Sequence, residues 1–385
     1  MIKAHSGGTV RSLYTSSLIS ALCILAPALC SQEHQFHGQA TGWFSSAEKN
    51  VQLGARYLPE LSAGYPVGND FNSEFILSLN CFSTSQFFPD RSPLYSGTVQ
   101  PYRLWGRISS DRFEVRLGLQ KINFGSATLL RPLMWFDAIN PHDPLQLTDG
   151  VYALLARYFF PDNSNVWLWS LYGNNDIKGV DIAPSKKQSI EFGGRAQIPF
   201  WNGEIAATYH HRTTDLNSIH LSNISSPEDR YALDGKWDIG IGAWFESVLI
   251  HRSSAGGGLR YQRIWMLGTD YTFDAGNGLT VLTEYFRTDN PDKLFAPAKG
   301  VSFSAFSFSY PFSIMDRGSC MIYRDWTNNE WYRLVSFQRT YDNWIFHLIG
   351  FWNPSNARRA QIVSGQTGSR TYQGKGVQIM AVFNH

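Results

Sequence analysis

His210 and His211 stand side by side in a stretch that alternates apolar and polar residues. Imidazoles serve as metal ligands and general bases near neutral pH. Neighbours on an extended strand point to opposite faces, so these two cannot share one metal. His347, between Phe346 and Leu348, reads as a wall residue and not as a base. A hydrolase built on a strand surface needs a nucleophile, a histidine and a third group that orients it. No spacing in the sequence singles out such a set. Gly256-Gly257-Gly258 reads as a flexible turn, because no helix follows it to complete a phosphate cradle. Catalysis, a cofactor and a bound metal are therefore not expected.

The chemistry left is that of binding or selective passage, and one segment concentrates it. Residues 126–150 carry Arg131, Asp137, His142, Asp143 and Asp149 around a run of Leu129, Leu130, Leu133, Met134, Trp135 and Phe136. So much apolar surface in a connecting segment has to be buried. It can fold into an enclosed space and present its polar groups to a channel, or it can pack as an external lid on neighbouring loops.

The elements around this segment show period two, the mark of strands with one face in each environment. Ile190, Phe192, Gly194, Ala196 and Ile198 oppose Glu191, Gly193, Arg195 and Gln197. Phe113, Val115, Leu117 and Leu119 oppose Glu114, Arg116, Gly118 and Gln120. Similar segments begin near residues 34, 49, 71, 100, 112, 151, 165, 188, 203, 230, 240, 260, 278, 300, 317, 330, 343 and 374. Each is close to the ten or so residues that a tilted membrane strand requires. Even-numbered segments are followed by short turns, such as 109–111, 161–164 and 201–203. Odd-numbered ones are mostly followed by long connections, at 83–99, 123–150, 174–187, 213–229, 289–299 and 353–373. Short turns on one rim and long loops on the other characterise membrane barrels. Two joints break the rule, a long one at 59–70 and a short one at 326–329, and leave sixteen strands as the alternative to eighteen.

Composition agrees. Charged residues make up 17% and aromatics 15% of the 385 residues, against about 25% charge in soluble domains. The formal net charge of +2 points to neither nucleic acid nor a strongly anionic partner. Lys3 and Arg11, the apolar stretch from Leu13 to Leu29 and the end Ala28-Leu29-Cys30 have the order of a secretory signal. The expected organisation is a signal at 1–30 and a barrel at 31–385. Past the signal there is no apolar run long enough for a membrane helix. Cys81 and Cys320 read as unpaired thiols. Trp43, Tyr57, Tyr102, Trp167, Trp201, Tyr271, Trp344 and Trp352 suit aromatic girdles.

The expected fold is thus all-β: a closed transmembrane antiparallel barrel of about eighteen strands with an inward-folded loop. Its lumen candidates are Arg103, Arg107, Glu114, Arg116 and Arg157, with Arg131, Asp137, His142, Asp143 and Asp149 from the loop. Arg56, Arg195, Lys236, Arg260, Glu74, Glu191, Glu204, Asp234, Asp270 and Glu284 share the inward parity and nearly balance in sign. Arg103, Arg107 and Arg116 could form a basic ladder, or could pair across strands with Glu114 and Glu74. Arg358, Arg359 and Arg370 could meet lipopolysaccharide phosphates or simply be solvated.

The stretch Phe113-Glu114-Val115-Arg116-Leu117-Gly118-Leu119-Gln120-Lys121-Ile122-Asn123-Phe124-Gly125 resembles the strand that precedes an inward loop in porin-like outer-membrane proteins of sixteen to eighteen strands, a group that includes alginate-export-type barrels. The resemblance implies diffusion of small polar solutes or saccharides, or polysaccharide export, across the outer membrane. The implied partners are outer-membrane lipid, lipopolysaccharide and the barrel assembly machinery. The chain departs from many such barrels by ending on Asn384-His385 after Phe383. The alternative is a plugged structural barrel whose outer loops bind glycan or lipopolysaccharide. No apolar seam selects an oligomeric state.

Overall fold

A computed structural model describes residues 34–48, 50–137, 143–219, 225–253, 260–354 and 372–385. The signal segment, His142, the triple glycine and Arg358, Arg359 and Arg370 lie outside the described residues. The strands are β1 (His34–Ala47), β2 (Asn50–Val67), β3 (Phe71–Phe87), β4 (Leu94–Ser109), β5 (Phe113–Gln120) and β6 (Val151–Phe159). They continue as β7 (Asn165–Tyr172), β8 (Ile190–Phe200), β9 (Gly203–Asp215), β10 (Ser225–Asp238), β11 (Gly242–Arg252) and β12 (Tyr261–Phe273). The last six are β13 (Leu279–Asp289), β14 (Gly300–Pro311), β15 (Asp316–Asp325), β16 (Glu330–Thr340), β17 (Trp344–Trp352) and β18 (Lys375–Asn384). Every strand pairs antiparallel with its sequence neighbours, and β1 pairs with β18. The sheet therefore closes and leaves no end strand, as backbone in hydrocarbon demands.

The count of eighteen settles the alternative of sixteen. The awkward joint at 59–70 is strand up to Val67, and the turn is only 68–70, with Gly68 at φ +70°. The connection at 83–99 is likewise mostly strand, since β3 runs to Phe87 and β4 begins at Leu94. Both strands read as loop because they rise past the ten residues that hydrocarbon needs, where alternation loses its apolar member.

Outward positions carry exposed apolar side chains, among them Leu117, Leu168, Ile190 and Leu267. Trp43 and Trp167 leave the expected girdle and face inward. Trp43 lies across Gly54, where a Cβ would meet its ring, and stacks on Phe82 at 5.7 Å. Trp167 carries the Arg157 guanidinium at 3.9 Å. The inward face is also far from uniformly polar. Leu155, Ile250, Ile264, Phe286, Phe303, Ala305 and Tyr323 all point inward and are buried.

The wall is uneven at one place. β4 has sixteen residues and β5 only eight, and the two pair only from Leu104 to Ser109. Above that point the chain leaves the wall at Gln120 and returns at Val151. Leu94–Pro101 are exposed, with no strand beside them on that side among the described residues.

Candidate functional site

The chain that leaves the wall crosses the interior and is fastened on the far side. The Glu246 carboxylate, on β11, accepts the Ala127 N–H (2.8 Å) and the Leu133 N–H (3.2 Å). The Glu284 carboxylate, on β13, accepts the N–H groups of Thr128 (2.7 Å), Leu129 (2.9 Å) and Leu130 (2.6 Å). Five backbone donors that no strand supplies with acceptors are thus satisfied by two buried carboxyl groups. Gly125, at φ +90°, lets Glu246 in: a Cβ there would stand 2.4 Å from its carboxylate oxygen.

Once fastened, the apolar run finds its partners. Leu129, Leu130, Leu133, Trp135 and Phe136 are at most 4% exposed and join one cluster with Leu155, Trp169, Leu171, Ile250, Ile264, Phe286 and Phe303. Phe124 stacks on Trp169 at 5.5 Å and meets Trp135 and Phe136 edge-on. Burial of five such side chains is worth on the order of 10 kcal/mol, so this part of the loop is a fixed filling. The external-lid alternative is excluded for residues 123–137.

A second connection, residues 173–189, folds over the first. Its Ser185 bridges to Thr214, and the Gly179 N–H donates to the Asp137 carbonyl at 3.0 Å. Gly179, at φ +46°, is needed there, because a Cβ would collide with the Met134 carbonyl. Asp181 accepts from Arg212 (2.8 Å) and Arg230 (2.6 Å). Glu228 accepts from Arg212 (2.6 Å), Arg230 (2.7 Å) and Arg252 (2.6 Å). All five side chains are nearly fully buried. Arg195, also buried, is held by both oxygens of Asp234 at 2.6 and 2.7 Å.

The histidines are placed as the alternation requires. His210 points inward, where its Nδ1 accepts the Trp169 indole N–H (3.2 Å). Its Nε2–H donates to Glu191 (3.1 Å). A lone pair on Nδ1 is needed for the first bond, so the ring is neutral. It packs on Phe136 at 5.1 Å. His211, on the outer face, contacts Asp229 (2.8 Å), which also accepts from the Tyr209 hydroxyl (2.8 Å).

The loop's return, residues 143–150, faces the wall of β2 and β4. Arg103 donates to the Thr148 carbonyl (2.8 Å), and Gln100 donates to Asp149 (3.4 Å). Asp143 and Asp149 both lie within electrostatic reach of Arg56. Burial pushes the Asp143 carboxyl up from its ordinary value, against the Leu145 N–H bond and the Arg56 charge. Arg56 lies over Phe82 (4.9 Å) and Arg103 over Tyr102 (3.9 Å). An acidic loop segment and a basic wall thus confront each other.

The remaining predicted residues fall into two groups. Arg107, Glu114, Arg116 and Arg157 gather on the wall nearer the short turns. Arg107 pairs with Glu74 (2.5 Å) and Glu114 (3.7 Å), Arg116 with Glu114 (3.0 Å), and Arg157 with Glu114 (3.8 Å). Ion pairing wins over a free ladder, across strands for Arg107 and along β5 itself for Arg116, whereas Arg103 reaches the loop. Asp137 and Arg131 are turned into the loop itself. Asp137 is 1% exposed and accepts the Thr148 hydroxyl (2.8 Å), with burial raising its carboxyl above the ordinary value. Arg131 donates to Asn123.

Glu246 and the cluster of Arg212, Arg230, Arg252, Asp181 and Glu228 escaped the sequence reading. Their signal was present: inward positions of β11 read Trp244, Glu246, Val248 and Ile250, a single acid among apolar residues. Glu246 and Arg252 are the charges on this otherwise apolar inner face of β11, and each calls for partners brought from elsewhere.

No family model matches the sequence, and no curated protein matches it. Among solved structures, OccD3 (OpdP) of Pseudomonas aeruginosa superposes with a TM-score of 0.59 at 9% identity. That match covers 92% of this chain and 91% of the other. OccK7 (OpdD) of the same organism gives 0.55 at 9% identity, over 92% and 99%. The chain shares their fold.

Proposed function

We propose that this chain is a porin-like channel of the outer membrane through which small polar solutes or saccharides diffuse. The observation that carries the reading is the loop clamped across the interior by Glu246 and Glu284, which leaves residues 143–150 facing Arg56 and Arg103. A filled half and a polar cleft make a constriction. An exposed apolar outer belt and a closed sheet suit lipid, and the fold is that of OccD3 and OccK7. Arg103, Asp143 and Asp149 line the constriction in this reading; His142, a candidate for the same role by its place in the sequence, lies outside the described residues. Arg107, Glu114, Arg116 and Arg157 line the approach from the short-turn rim, and Arg131 and Asp137 hold the loop in shape. Residues 1–30 act as the export signal, and the mature chain meets the barrel assembly machinery and outer-membrane lipid. Kinship with alginate-export-type barrels rests on residues 113–125 alone. The chain acts by passive passage and catalyses nothing.

Swelling of liposomes holding the purified protein, with a size series of sugars, tests the reading. Uptake that falls with sugar size is expected. Liposomes that stay as tight as protein-free ones refute it. They favour instead a plugged structural barrel, a reading encouraged by how much of the interior is apolar and packed.

A further inference from the structure

We propose that the outward face of β15–β18, at the rim carrying the long connections, binds the phosphate groups of a phosphorylated glycolipid of the outer leaflet. Alternation fixes the face. On β16, Trp331 and Arg333 share it with Val335 and Phe337, which are exposed to lipid. On β17, Trp352 shares it with Leu348 and Phe346, and on β18 Lys375 shares it with Val377 and Ile379. Each polar residue therefore caps an apolar column, within a few residues of the strand end, where hydrocarbon gives way to headgroups.

Register makes these caps neighbours: Arg324 pairs with Trp331, Arg333 with Trp352, and Trp352 with Lys375. Trp331 holds two guanidinium groups against one indole, Arg324 at 4.7 Å and Arg333 at 5.7 Å from the ring centre. Arg324 also lies over Trp326, whose indole N–H is fixed by the Ser304 hydroxyl (2.9 Å). Arg324 donates to the neutral Asn329 amide, and its Nε has no hydrogen-bond partner among the described residues.

Among the described residues, no carboxylate stands within ion-pair distance of Arg324, Arg333 or Lys375. Asp325 and Glu330, opposite one another in register, share the inward parity of buried Tyr323 and Tyr332. Asp325 is occupied by the backbone of Thr327 and Asn328 (2.8 and 3.0 Å), and Glu330 by the Tyr332 hydroxyl (3.1 Å). The β15–β16 and β17–β18 connections bring none, since residues 326–329 and 353–374 contain no Asp or Glu. The β1–β2 turn beside β18 brings one, Glu48, which is exposed and whose backbone N–H donates to the Lys375 carbonyl (3.2 Å). At the opposite rim of the same sheet, by contrast, Arg339 has Asp316 beside it at 3.7 Å. Two guanidinium groups sharing a ring without an anion repel one another, and a headgroup phosphate fits them with bidentate hydrogen bonds. The indoles supply the interfacial contact for the sugar and upper acyl region.

The inference needs the barrel to lie in an outer membrane but not to conduct, so a barrel that fails the swelling test leaves it standing. Full-length protein in a non-ionic detergent is titrated with bis-phosphorylated lipid A and with dephosphorylated lipid A, and bound lipid is read by native mass spectrometry. Wild type should hold the bis-phosphorylated form at least tenfold more tightly, and inorganic phosphate at matched concentration should not displace it. R324Q/R333Q/K375Q, checked for heat-modifiable gel migration, should bind about a hundredfold more weakly, and R339Q should bind as wild type does. Equal retention of the two lipids by wild type, which needs no variant, overturns the proposal, as does unchanged binding by the triple variant. Displacement by inorganic phosphate overturns the lipid assignment in favour of a free-anion site.

Discussion

Glu284→Gln isolates the clamp on the inward loop with almost no change in shape. The carboxylate takes Thr128 N–H on one oxygen and Leu129 and Leu130 N–H on the other. An amide has one oxygen, so whichever way it turns, at least one buried N–H faces its NH2 group. That loses one buried hydrogen bond and leaves one donor unsatisfied, about 2–3 kcal/mol in all. At 1.4 kcal/mol per factor of ten, local opening of this turn becomes roughly 30- to 150-fold more frequent. Hydrogen exchange resolved to single amides in detergent or nanodiscs reads this directly. Exchange at Thr128, Leu129 and Leu130 should accelerate by that factor, while strand amides of β9 and β10 stay protected. Glu246→Gln should shift the effect to Ala127 and Leu133. Unchanged protection at 128–130 in E284Q would mean that the apolar packing alone holds the loop, and the clamp argument would fall.

Two further outcomes follow from the same geometry. Burial raises the Asp143 carboxyl, so on acidification it takes up its proton before an exposed aspartate does. The loop then loses negative charge while Arg56 and Arg103 keep theirs, and reversal-potential measurements in a planar bilayer should drift toward anions as pH falls. Asp143→Asn should show that drift already at neutral pH and respond less to acid; an identical pH response in the variant counts against the placement. Asp234→Ala strips Arg195 of both its carboxylate contacts while the guanidinium stays buried, which costs about 3–5 kcal/mol. The temperature at which the folded band is lost on a gel should drop, and Arg195→Leu with Asp234→Leu should recover much of it. Equal losses in single and double variants would contradict this.

Much of the barrel was readable from residue order because each strand has one face in lipid, and lipid imposes a two-residue period that nothing else in the chain mimics. Ile190 to Ile198 and Phe113 to Leu119 fall on the outer face as their alternation requires. The period fades where the environment does, which is why Pro59–Val67 and Ser83–Phe87 looked like loop. Trp43 and Trp167 misled for another reason. An indole at a strand end suits an interface, but each here has an inward partner that residue type alone does not announce: Gly54 beneath one and Arg157 across from the other. The apolar character of residues 129–136 foretold burial, and the inner apolar patch on β11–β14 is its counterpart, visible only once strands far apart in sequence share one cylinder. The fastening of Thr128, Leu129 and Leu130 to Glu284 was the least legible, because backbone donors carry no sequence signature.

The mismatch between β4 and β5 has a consequence for how this protein could change over time. Residues 121–150 are the length of chain that would otherwise have carried β5 and β6 upward beside Leu94–Arg103. Fence and gate are cut from the same timber. Trimming the loop would not simply produce a wider opening, because the gap beside β4 would still lack its covering, and lengthening the fence would consume the gate. Variation in what passes is thus steered toward exchanges of single side chains along residues 143–150 and the facing wall, where the size of the aperture can be altered without touching its frame.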